Sequence, residues 1–316
     1  MKTEHLYYLV TGGAGFIGSH LVDRLLADGH AVIVIDDFSS GREENLVQHH
    51  DNKNLTIVHC SINEPLDDLF LGEKIDAVFH LAAIPRVQYS IQFPAETHHA
   101  NVNGTFNLLE MCRRHGVKRF VFSSSSSVYG DQPTLPKVET MIPDPISPYA
   151  LHKLIGEQYC GVYHTIFGLE TIALRYFNVY GVRQNPEGDY ACLIPKFIKM
   201  ISQGVAPRIN GDGLQTRDFT AVADVVVANL AAATIINPAA FGQVYNIGGG
   251  RNYSVNEVTA AIMALTGKTV EPIHGSAVIE PHDSLADVSK AKQLLSWEPQ
   301  LALMDGLAKL WQSLNT

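Results

Sequence analysis

The stretch "YYLVTGGAGFIGSHLVDRLL", residues 7–26, decides the fold. An apolar run that reads as a buried strand ends in three spaced glycines, Gly12, Gly15 and Gly18, and helical spacing follows at 16–28. Glycines at this junction permit a tight turn, a close approach of a pyrophosphate to the backbone, and packing of the helix on the sheet. The helix N-terminus adds unpaired N–H groups that can bind phosphate. The pattern predicts a dinucleotide site at the end of the first strand.

The second strand leads into an acidic residue. The apolar run "AVIVI", residues 31–35, is followed by Asp36, which stands 24 residues after Gly12. A carboxylate at this spacing accepts hydrogen bonds from a ribose diol and repels a 2′-phosphate, which favours NAD over NADP as the cofactor. Asp37 is a second candidate for this contact, and the nearby Arg42 leaves NADP open as the alternative.

Strand and helix alternate through the first half of the chain. Between further apolar runs lie segments with helical spacing, such as 97–115, and the runs themselves lie at 55–58, 76–81, 119–122 and 170–175. The alternation predicts an α/β fold, a Rossmann-type doubly wound parallel sheet with helices on both faces. Ligands of such sheets bind beyond the carboxyl ends of the strands.

The second half has a different organisation. After about residue 176 the alternation weakens, and Pro and Gly become more frequent. We predict an NAD-binding Rossmann domain at 1–176 and a smaller α/β substrate-binding lobe at 177–316. The segment at about 217–249 is expected to return to the first domain.

Composition narrows the possible partners. The 316 residues carry a formal net charge of −9, which disfavours nucleic acid or an anionic membrane as a partner. A small anionic ligand stays open, because a few local arginines can bind one. Four widely spaced cysteines form no CxxC pair, so we expect neither a metal site nor a disulfide framework. The N-terminus leaves no room for a signal peptide, and the longest apolar stretch is too short to cross a bilayer, so we expect a cytoplasmic protein.

The stretch "RFVFSSSSSVYG", residues 119–130, contains five consecutive serines. Composition alone is typical of a flexible linker. Because "RFVF" reads as the fifth strand, however, the serines follow its carboxyl end, where a hydroxyl can hold the proton of a substrate oxygen. We therefore interpret the run as the floor of an active site.

The stretch "SPYALHK" places Tyr149 and Lys153 four residues apart. Ser147 suits a helix N-cap and Pro148 the first helical position, so the two side chains share one helical face. A lysine ammonium beside a phenol favours the phenolate, so we expect the pKa of Tyr149 to be lowered. Tyr149 is then a candidate general base near neutral pH.

Together these motifs resemble the extended short-chain dehydrogenase/reductase superfamily, specifically its nucleotide-sugar 4-epimerases, which include UDP-N-acetylglucosamine and UDP-glucose 4-epimerases. The resemblance covers nearly the whole chain. It rests on "TGGAGFIGSH" (11–20), "VFHLAA" (78–83), "NVNGT" (101–105), "SSSSSVYG" (123–130), "SPYALHK" (147–153), "LRYFNVYG" (174–181), "GDGLQTRDF" (211–219) and "SLADVSKAKQLLSWEP" (284–299).

The resemblance implies a catalytic set of Ser125, Tyr149 and Lys153, with Ser126 or Ser127 as close second choices for the serine. Tyr149 would remove the proton of the sugar 4-hydroxyl while the C4 hydride passes to NAD⁺ and later returns to the opposite face of the 4-keto sugar. Related dehydratases and decarboxylases carry acidic residues just before "VYG", where this chain has serines. Their absence favours epimerisation.

The resemblance also implies binding residues for cofactor and substrate. For NAD they are Gly12, Gly15, Phe16, Ile17, Gly18, Asp36, Asp37, Ser39, Ser61, Ile62, Leu81, Ala82, Ala83, Asn101, Ser123, Tyr149, Lys153 and Tyr176. For a UDP-sugar they are Arg86, Ser125, Ser126, Ser127, Tyr149, Asn178, Ala191, Cys192, Leu193, Asn210, Arg217 and Ser284.

Two segments depart from the family pattern. Where the family has Gly-Asp after the third strand, this chain has Cys60 and Ser61, which predicts weaker contacts with adenine. The segment "SAVIEPHDSLAD", residues 276–287, lacks the arginine that in the family clamps the diphosphate together with the counterpart of Arg217. His282 is the candidate that partly replaces it.

Small residues near the sugar bear on which substrate reacts. The resemblance places Ser284 where glucose-restricted members carry tyrosine, and Ala191 and Cys192 where they carry asparagines. These positions favour UDP-GlcNAc and UDP-GalNAc, with UDP-glucose and UDP-galactose as secondary substrates. The alternative interpretation of Ser284 is a helix cap before "LADVSKAKQLL".

Other functions stay open beside this one. A UDP-glucuronate 4-epimerase is close in motif, although that branch tends to have threonine in place of Asn178. A dehydrogenase that releases NADH and a non-catalytic NAD-binding regulatory protein are further alternatives. The resemblance also implies a homodimer, formed by helices at about 95–115 and 148–167 through a four-helix bundle.

Overall fold

The structure is a computed structural model that describes residues 5–72, 74–186, 192–276 and 281–315. Its strands are β1 (Tyr7–Thr11), β2 (Ala31–Asp36), β3 (Leu55–His59), β4 (Ala77–His80), β5 (Arg119–Ser125), β6 (Glu170–Tyr176), β7 (Val179–Tyr180), β8 (Arg208–Asn210), β9 (Thr216–Asp218), β10 (Thr220–Ala221), β11 (Gln243–Ile247), β12 (Asn252–Ser254) and β13 (Ile273–Gly275). Its α-helices are α1 (Phe16–Ala27), α2 (Asp67–Gly72), α3 (Val87–Gln92), α4 (Pro94–His98), α5 (Gly104–Arg114), α6 (Pro148–Phe167), α7 (Leu193–Ser202), α8 (Val222–Thr234), α9 (Val255–Thr266), α10 (Ser289–Leu295) and α11 (Leu303–Leu314).

Seven parallel strands form the central sheet in the order β3-β2-β1-β4-β5-β6-β11. Leu21 of α1 and Val225 of α8 belong to one apolar core on the sheet, while Leu108 of α5 and Tyr163 of α6 belong to a second. The strand order reverses beside β1, since β2 flanks it on one side and β4 on the other. This arrangement confirms the predicted Rossmann-type sheet and puts a switch point at the carboxyl ends of β1 and β4.

The later part of the chain contributes to the sheet and also forms a core of its own. β11 pairs with β6 in the register Gln243↔Ile172 to Ile247↔Tyr176. A separate apolar cluster joins α7, α9 and α11, with Ile198, Ile262 and Leu307 buried at its centre. The domain limits at residues 176 and 177 stay a prediction.

Two elements differ from their sequence-based boundaries. β5 continues through Ser125, because Ser123, Ser124 and Ser125 pair with β6. The helix expected at 97–115 is interrupted, since a π-helical turn at His99–Asn103 separates α4 from α5. Such turns often occur at functional sites.

The helices of the described ranges are too short or too polar to span a bilayer. The same residues include no group of three or more His, Cys, Asp or Glu side chains arranged to hold a metal ion.

Candidate active site

The glycine turn after β1 forms a closely fitted cradle. Gly12 has a φ of 68°, which disfavours any residue with a side chain. A Cβ there would also lie 2.8 Å from the Ala82 nitrogen, which is too close. A Cβ on Gly18 would collide with the Gly12 carbonyl oxygen. Helix α1 begins at Phe16 directly after Gly15, and Ile17 lies in its first turn. The cradle therefore presents backbone N–H groups and a helix N-terminus to a phosphate, which fits a dinucleotide.

Asp36 lies beside this cradle at the end of β2. Its carboxylate accepts hydrogen bonds of 2.9 Å from the backbone N–H groups of Ala14 and Phe38. Burial raises its pKa, and these two hydrogen bonds act in the opposite direction. A Cβ on Gly41 would lie 2.7 Å from an Asp36 oxygen, so the loop that follows also packs closely against the carboxyl group. The position suits a contact with a ribose diol.

Residues after β2 and β3 form the next part of this edge. Asp37 is exposed and accepts hydrogen bonds from the backbone N–H and the hydroxyl of Ser39, at 2.9 and 2.6 Å. Ser61 directly follows Cys60, and its hydroxyl accepts from a backbone N–H two residues on. Ile62 is buried in the core on the α5 side of the sheet.

The wall after β4 is fixed by two side chains. The Ala82 N–H donates to the Thr11 hydroxyl at 3.2 Å, which links this wall to the end of β1. Asn101, in the π-helical turn, accepts from the Ile84 N–H at 2.8 Å and donates to the Ile84 carbonyl at 3.1 Å. Of the predicted residues of this wall, Leu81 and Ala82 lie against Gly12 of the cradle, Ala83 follows them in the chain, and Asn101 holds the wall at Ile84.

A buried histidine lies beneath this wall, and sequence reasoning missed it. His80 contacts the hydroxyls of Thr11 and Thr105 through its two ring nitrogens, each at 2.8 Å. Thr105 itself donates to the Asn101 carbonyl, so it accepts from His80 Nε2, and Nδ1 is the acceptor. Burial, assisted by Lys153, lowers the pKa of His80 to about 3, which keeps the ring neutral. The sequence signal for this residue was the polar histidine within the otherwise apolar motif "VFHLAA".

The candidate catalytic residues meet at the start of α6. The Ser147 hydroxyl caps the helix by accepting from the Ala150 N–H at 3.2 Å, as expected. The Lys153 ammonium donates to the Ser123 carbonyl at 2.6 Å and lies 5.8 Å from the centre of the Tyr149 ring. The Ser125 hydroxyl lies close enough to the Tyr149 phenol to act on the pKa of that phenol through hydrogen bonding.

Burial dominates the electrostatics of this set. It raises the pKa of Tyr149 to about 12, and the hydrogen bond from Ser125 offsets only part of the effect. Burial also lowers the pKa of Lys153 to about 8, against the charge of Glu157. The prediction that Lys153 lowers the pKa of Tyr149 is therefore wrong for the protein alone, because loss of hydration outweighs the neighbouring ammonium.

The serine run has distinct roles along its length. Ser124 is buried and donates to Glu157 at 2.5 Å. Ser125 accepts from the Ser127 N–H at 3.2 Å and starts a short 3₁₀ turn that includes Ser126. Among the described residues, the buried Ser127 hydroxyl has no hydrogen-bond partner. Of the three candidate serines, Ser125 is the one that acts on the pKa of Tyr149. Tyr176 lies beside the run and donates to Asn229 at 3.0 Å.

A cavity of about 460 Å³ contains five of the predicted substrate residues. These are Asn178, Cys192, Leu193, Asn210 and Arg217. Ser284 adjoins them, since its hydroxyl accepts from the Asn178 amide at 3.4 Å. Ala191 lies outside the described residues. The prediction omitted several polar residues of the lining, among them Gln184, Lys196, Arg208 and Gln215.

Two further contacts connect this cavity with the catalytic residues. Cys192 lies near both Tyr149 and Arg86. The Cys192 side chain contributes to the raised pKa of Tyr149, and the charge of Arg86 acts to lower the pKa of Cys192. Arg86 precedes α3, whose Ser90 hydroxyl accepts from the Tyr149 N–H at 3.1 Å. The structure thus brings Arg86 and the part of the cavity that includes Cys192 close to Tyr149.

Ser284 does not cap a helix. Helix α10 begins at Ser289, five residues later, and its N-cap is Val288. The Ser284 hydroxyl instead accepts from the Asp218 N–H at 3.3 Å. The helix-cap interpretation is therefore wrong.

Comparisons with known proteins agree with this geometry. A family model described as the NAD dependent epimerase/dehydratase family matches residues 8–248. The UDP-glucose 4-epimerase of Mycolicibacterium smegmatis is 41% identical over 304 residues, which are 95% of this chain and 96% of that protein.

Solved structures are similar over almost the whole chain. The UDP-N-acetylglucosamine 4-epimerase from Methanobrevibacter ruminantium, in complex with UDP-N-acetylmuramic acid, has a TM-score of 0.93 and 35% identity and covers 99% of both chains. The UDP-glucuronic acid 4-epimerase from Bacillus cereus, in complex with UDP-glucuronic acid and NAD, has a TM-score of 0.91 and 35% identity, with 98% of this chain and 99% of that chain covered.

Proposed function

This chain belongs to the NAD dependent epimerase/dehydratase family, within its UDP-sugar 4-epimerases, and we propose that it interconverts UDP-GlcNAc and UDP-GalNAc, with UDP-glucose and UDP-galactose as secondary substrates. The observation that carries the proposal is the position of Tyr149, which lies near Ser125 and near Cys192 of a cavity that includes Asn178 and Arg217.

The residues of this chain support a proton transfer at the sugar 4-hydroxyl. Tyr149 takes the proton, and Ser125 holds the same oxygen through its hydroxyl. Lys153 is fixed by the Ser123 carbonyl and keeps an ammonium near the phenol, which favours the phenolate. NAD⁺, when bound, supplies the hydride acceptor and a further positive charge. Because the serine run contains no carboxyl group, elimination and decarboxylation lack an acid or base at this position.

The preference for N-acetyl sugars is supported by a small side chain at the sugar end of the cavity. Ser284 contacts Asn178 and the Asp218 backbone, and it fills far less space than a tyrosine would. An acetamido group has room where this side chain is short. A small residue permits the larger sugar without excluding a plain hexose, which is why both substrate pairs are proposed.

UDP-glucuronate is the second candidate substrate. Arg86, near Cys192 and the Tyr149 helix, is a cation that suits a sugar carboxylate. Asn178, where the glucuronate branch tends to carry threonine, opposes this alternative.

The test is turnover without added cofactor. The purified protein is incubated separately with UDP-GlcNAc, UDP-glucose and UDP-glucuronate, and the products are identified by proton NMR while NADH release is followed by absorbance. We expect UDP-GalNAc to form fastest, with no free NADH. Stoichiometric NADH release would instead indicate a dehydrogenase, and the absence of any product would indicate a binding protein.

A pair of variants tests the role of Ser284. Ser284→Tyr is expected to lose turnover of UDP-GlcNAc by steric exclusion while UDP-glucose still reacts. Ser284→Ala is the matched control and is expected to keep both activities. Equal loss of both activities in Ser284→Tyr would contradict the steric argument.

We also propose a homodimer, supported by exposed apolar side chains along α6. Leu151, Val162 and Ile166 are each about half exposed or more, and Phe106 of α5 adds to the same pair of helices. Burying such side chains against a second copy is favourable.

A further inference from the structure

The charges that line the substrate cavity are all of one sign. Three cationic side chains contribute to it, Lys196, Arg208 and Arg217. Among the described residues of its lining, none is Asp or Glu. Since the whole chain carries a formal net charge of −9, this concentration of positive charge is a local feature. It suits an anionic ligand group.

Arg217 is held at one place in this lining. It lies in β9, and its guanidinium donates to the carbonyls of Thr216 and His282, at 2.8 and 2.9 Å. These bonds fix the orientation of the side chain. A diphosphate at neutral pH carries at least two negative charges, so one guanidinium leaves part of the charge unpaired.

The Arg208 guanidinium packs against Gly275, and this packing position is called the glycine seat below. β8 runs parallel to β13, with Asn210 opposite Gly275. A Cβ on Gly275 would lie 2.6 Å from Arg208 Nε and 2.8 Å from Nη2. The guanidinium therefore lies directly over Gly275, in space that any other residue would fill. Gly275 is not among the glycines with positive φ, so the side-chain space and not the backbone conformation requires it.

The glycine seat lies next to the segment that lacks the family's diphosphate-binding arginine. Gly275 immediately precedes the segment 276–287, which contains no arginine. We propose that Arg208, seated on Gly275, is the second cation that binds the substrate diphosphate together with Arg217. A guanidinium can bind two phosphate oxygens at once, which an ammonium such as that of Lys196 does not reproduce. The proposal rests on the proposed function, because it assumes a nucleoside diphosphate in this cavity.

The test compares UDP with uridine by titration calorimetry. Arg208→Gln is expected to weaken UDP binding roughly 10-fold, the lower end for a charge-assisted hydrogen bond because the residue is exposed, and to leave uridine unchanged. Arg251→Gln is the control, since Arg251 is an exposed arginine that stacks on Tyr253 outside the cavity. It is expected to bind both ligands like the unmodified protein.

A double-mutant cycle tests the glycine seat. Gly275→Ala displaces the guanidinium and is expected to weaken UDP binding by itself, but to have no further effect in the Arg208→Gln background. If Gly275→Ala and Arg208→Gln weaken UDP binding independently, Gly275 does not act by positioning Arg208, and this part of the proposal is wrong.

If Lys196→Gln weakens UDP binding and Arg208→Gln does not, Lys196 is the second cation and the proposal fails while the proposed function stands. If the unmodified protein binds no UDP, the proposed function fails and this proposal with it.

Discussion

A buried ion pair near Lys153, the candidate catalytic lysine, gives the strongest prediction about stability. Glu157 accepts hydrogen bonds from Arg175 Nε and Nη2 at 2.8 and 2.7 Å, and from Ser124 at 2.5 Å. The two charged side chains are only 1% and 3% exposed. Among the described residues, Arg175 Nη1 has no hydrogen-bond partner, and the guanidinium lies 4.6 Å from the Tyr129 ring centre.

Removing one charge leaves the other buried and uncompensated. Glu157→Gln is therefore expected to lower the free energy of unfolding by about 3–5 kcal/mol. At about 2–4 °C per kcal/mol, the thermal midpoint falls by roughly 6–20 °C. Arg175→Met is expected to cost a similar amount, because it leaves the Glu157 carboxylate alone. The double variant Glu157→Leu with Arg175→Met buries no unpaired charge, so it is expected to be more stable than either single variant.

The assay is thermal unfolding by circular dichroism at one protein concentration, with the four proteins side by side. A loss below about 1 kcal/mol in Glu157→Gln would refute the reasoning, as would a double variant that is less stable than either single variant. A second readout is the pKa of Lys153. Since the Glu157 charge opposes the lowering caused by burial, the lysine pKa is expected to fall further below about 8 in Glu157→Gln.

Three further outcomes are expected. Tyr149→Phe removes the proton acceptor, so kcat is expected to fall ~10²–10⁴-fold with NAD binding retained, and near-normal turnover would show that Tyr149 is not the base. Sedimentation is expected to give a dimer that Ile166→Glu on the exposed face of α6 dissociates, whereas a monomeric unmodified protein would contradict the assembly. Lowering the pH from about 6.5 to about 3 is expected to remove stability at up to about 1.4 kcal/mol per pH unit through His80, because the unfolded chain binds a proton that the folded ring, with its pKa lowered to about 3, does not. His80→Gln should reduce this slope in urea unfolding, and identical slopes would contradict the assignment.

Local patterns were enough to predict the sheet and the cradle. The apolar runs and the three glycines after β1 depend on short-range sequence, since each strand and its turn are continuous in the chain. The boundaries depend on pairing between distant segments. β5 reaches Ser125 because Leu174, Arg175 and Tyr176 of β6 pair with the serines, and serine composition alone does not indicate a strand.

The interrupted helix shows the same limit. The period of apolar residues predicts one helix at 97–115, and the π-helical turn arises where Asn101 contacts Ile84 of the wall after β4. The sign of the Tyr149 pKa shift was missed for a related reason. A sequence shows that Lys153 is one turn away, but it does not show how completely the phenol is buried, and burial is the larger effect.

The positive charge of the cavity was the feature that the sequence could predict least. A formal net charge of −9 argues against a polyanionic surface as partner, but the total says nothing about the distribution of charge inside one cavity. Lys196 lies in α7, Arg208 in β8 and Arg217 in β9, so their common position follows only from the way these elements pack. A family pattern that looks for an arginine in 276–287 finds none, while the fold brings Arg208 to the strand that leads into that segment. A missing residue in a motif is therefore weak evidence for a missing function when a neighbouring strand can present the same group to the same place.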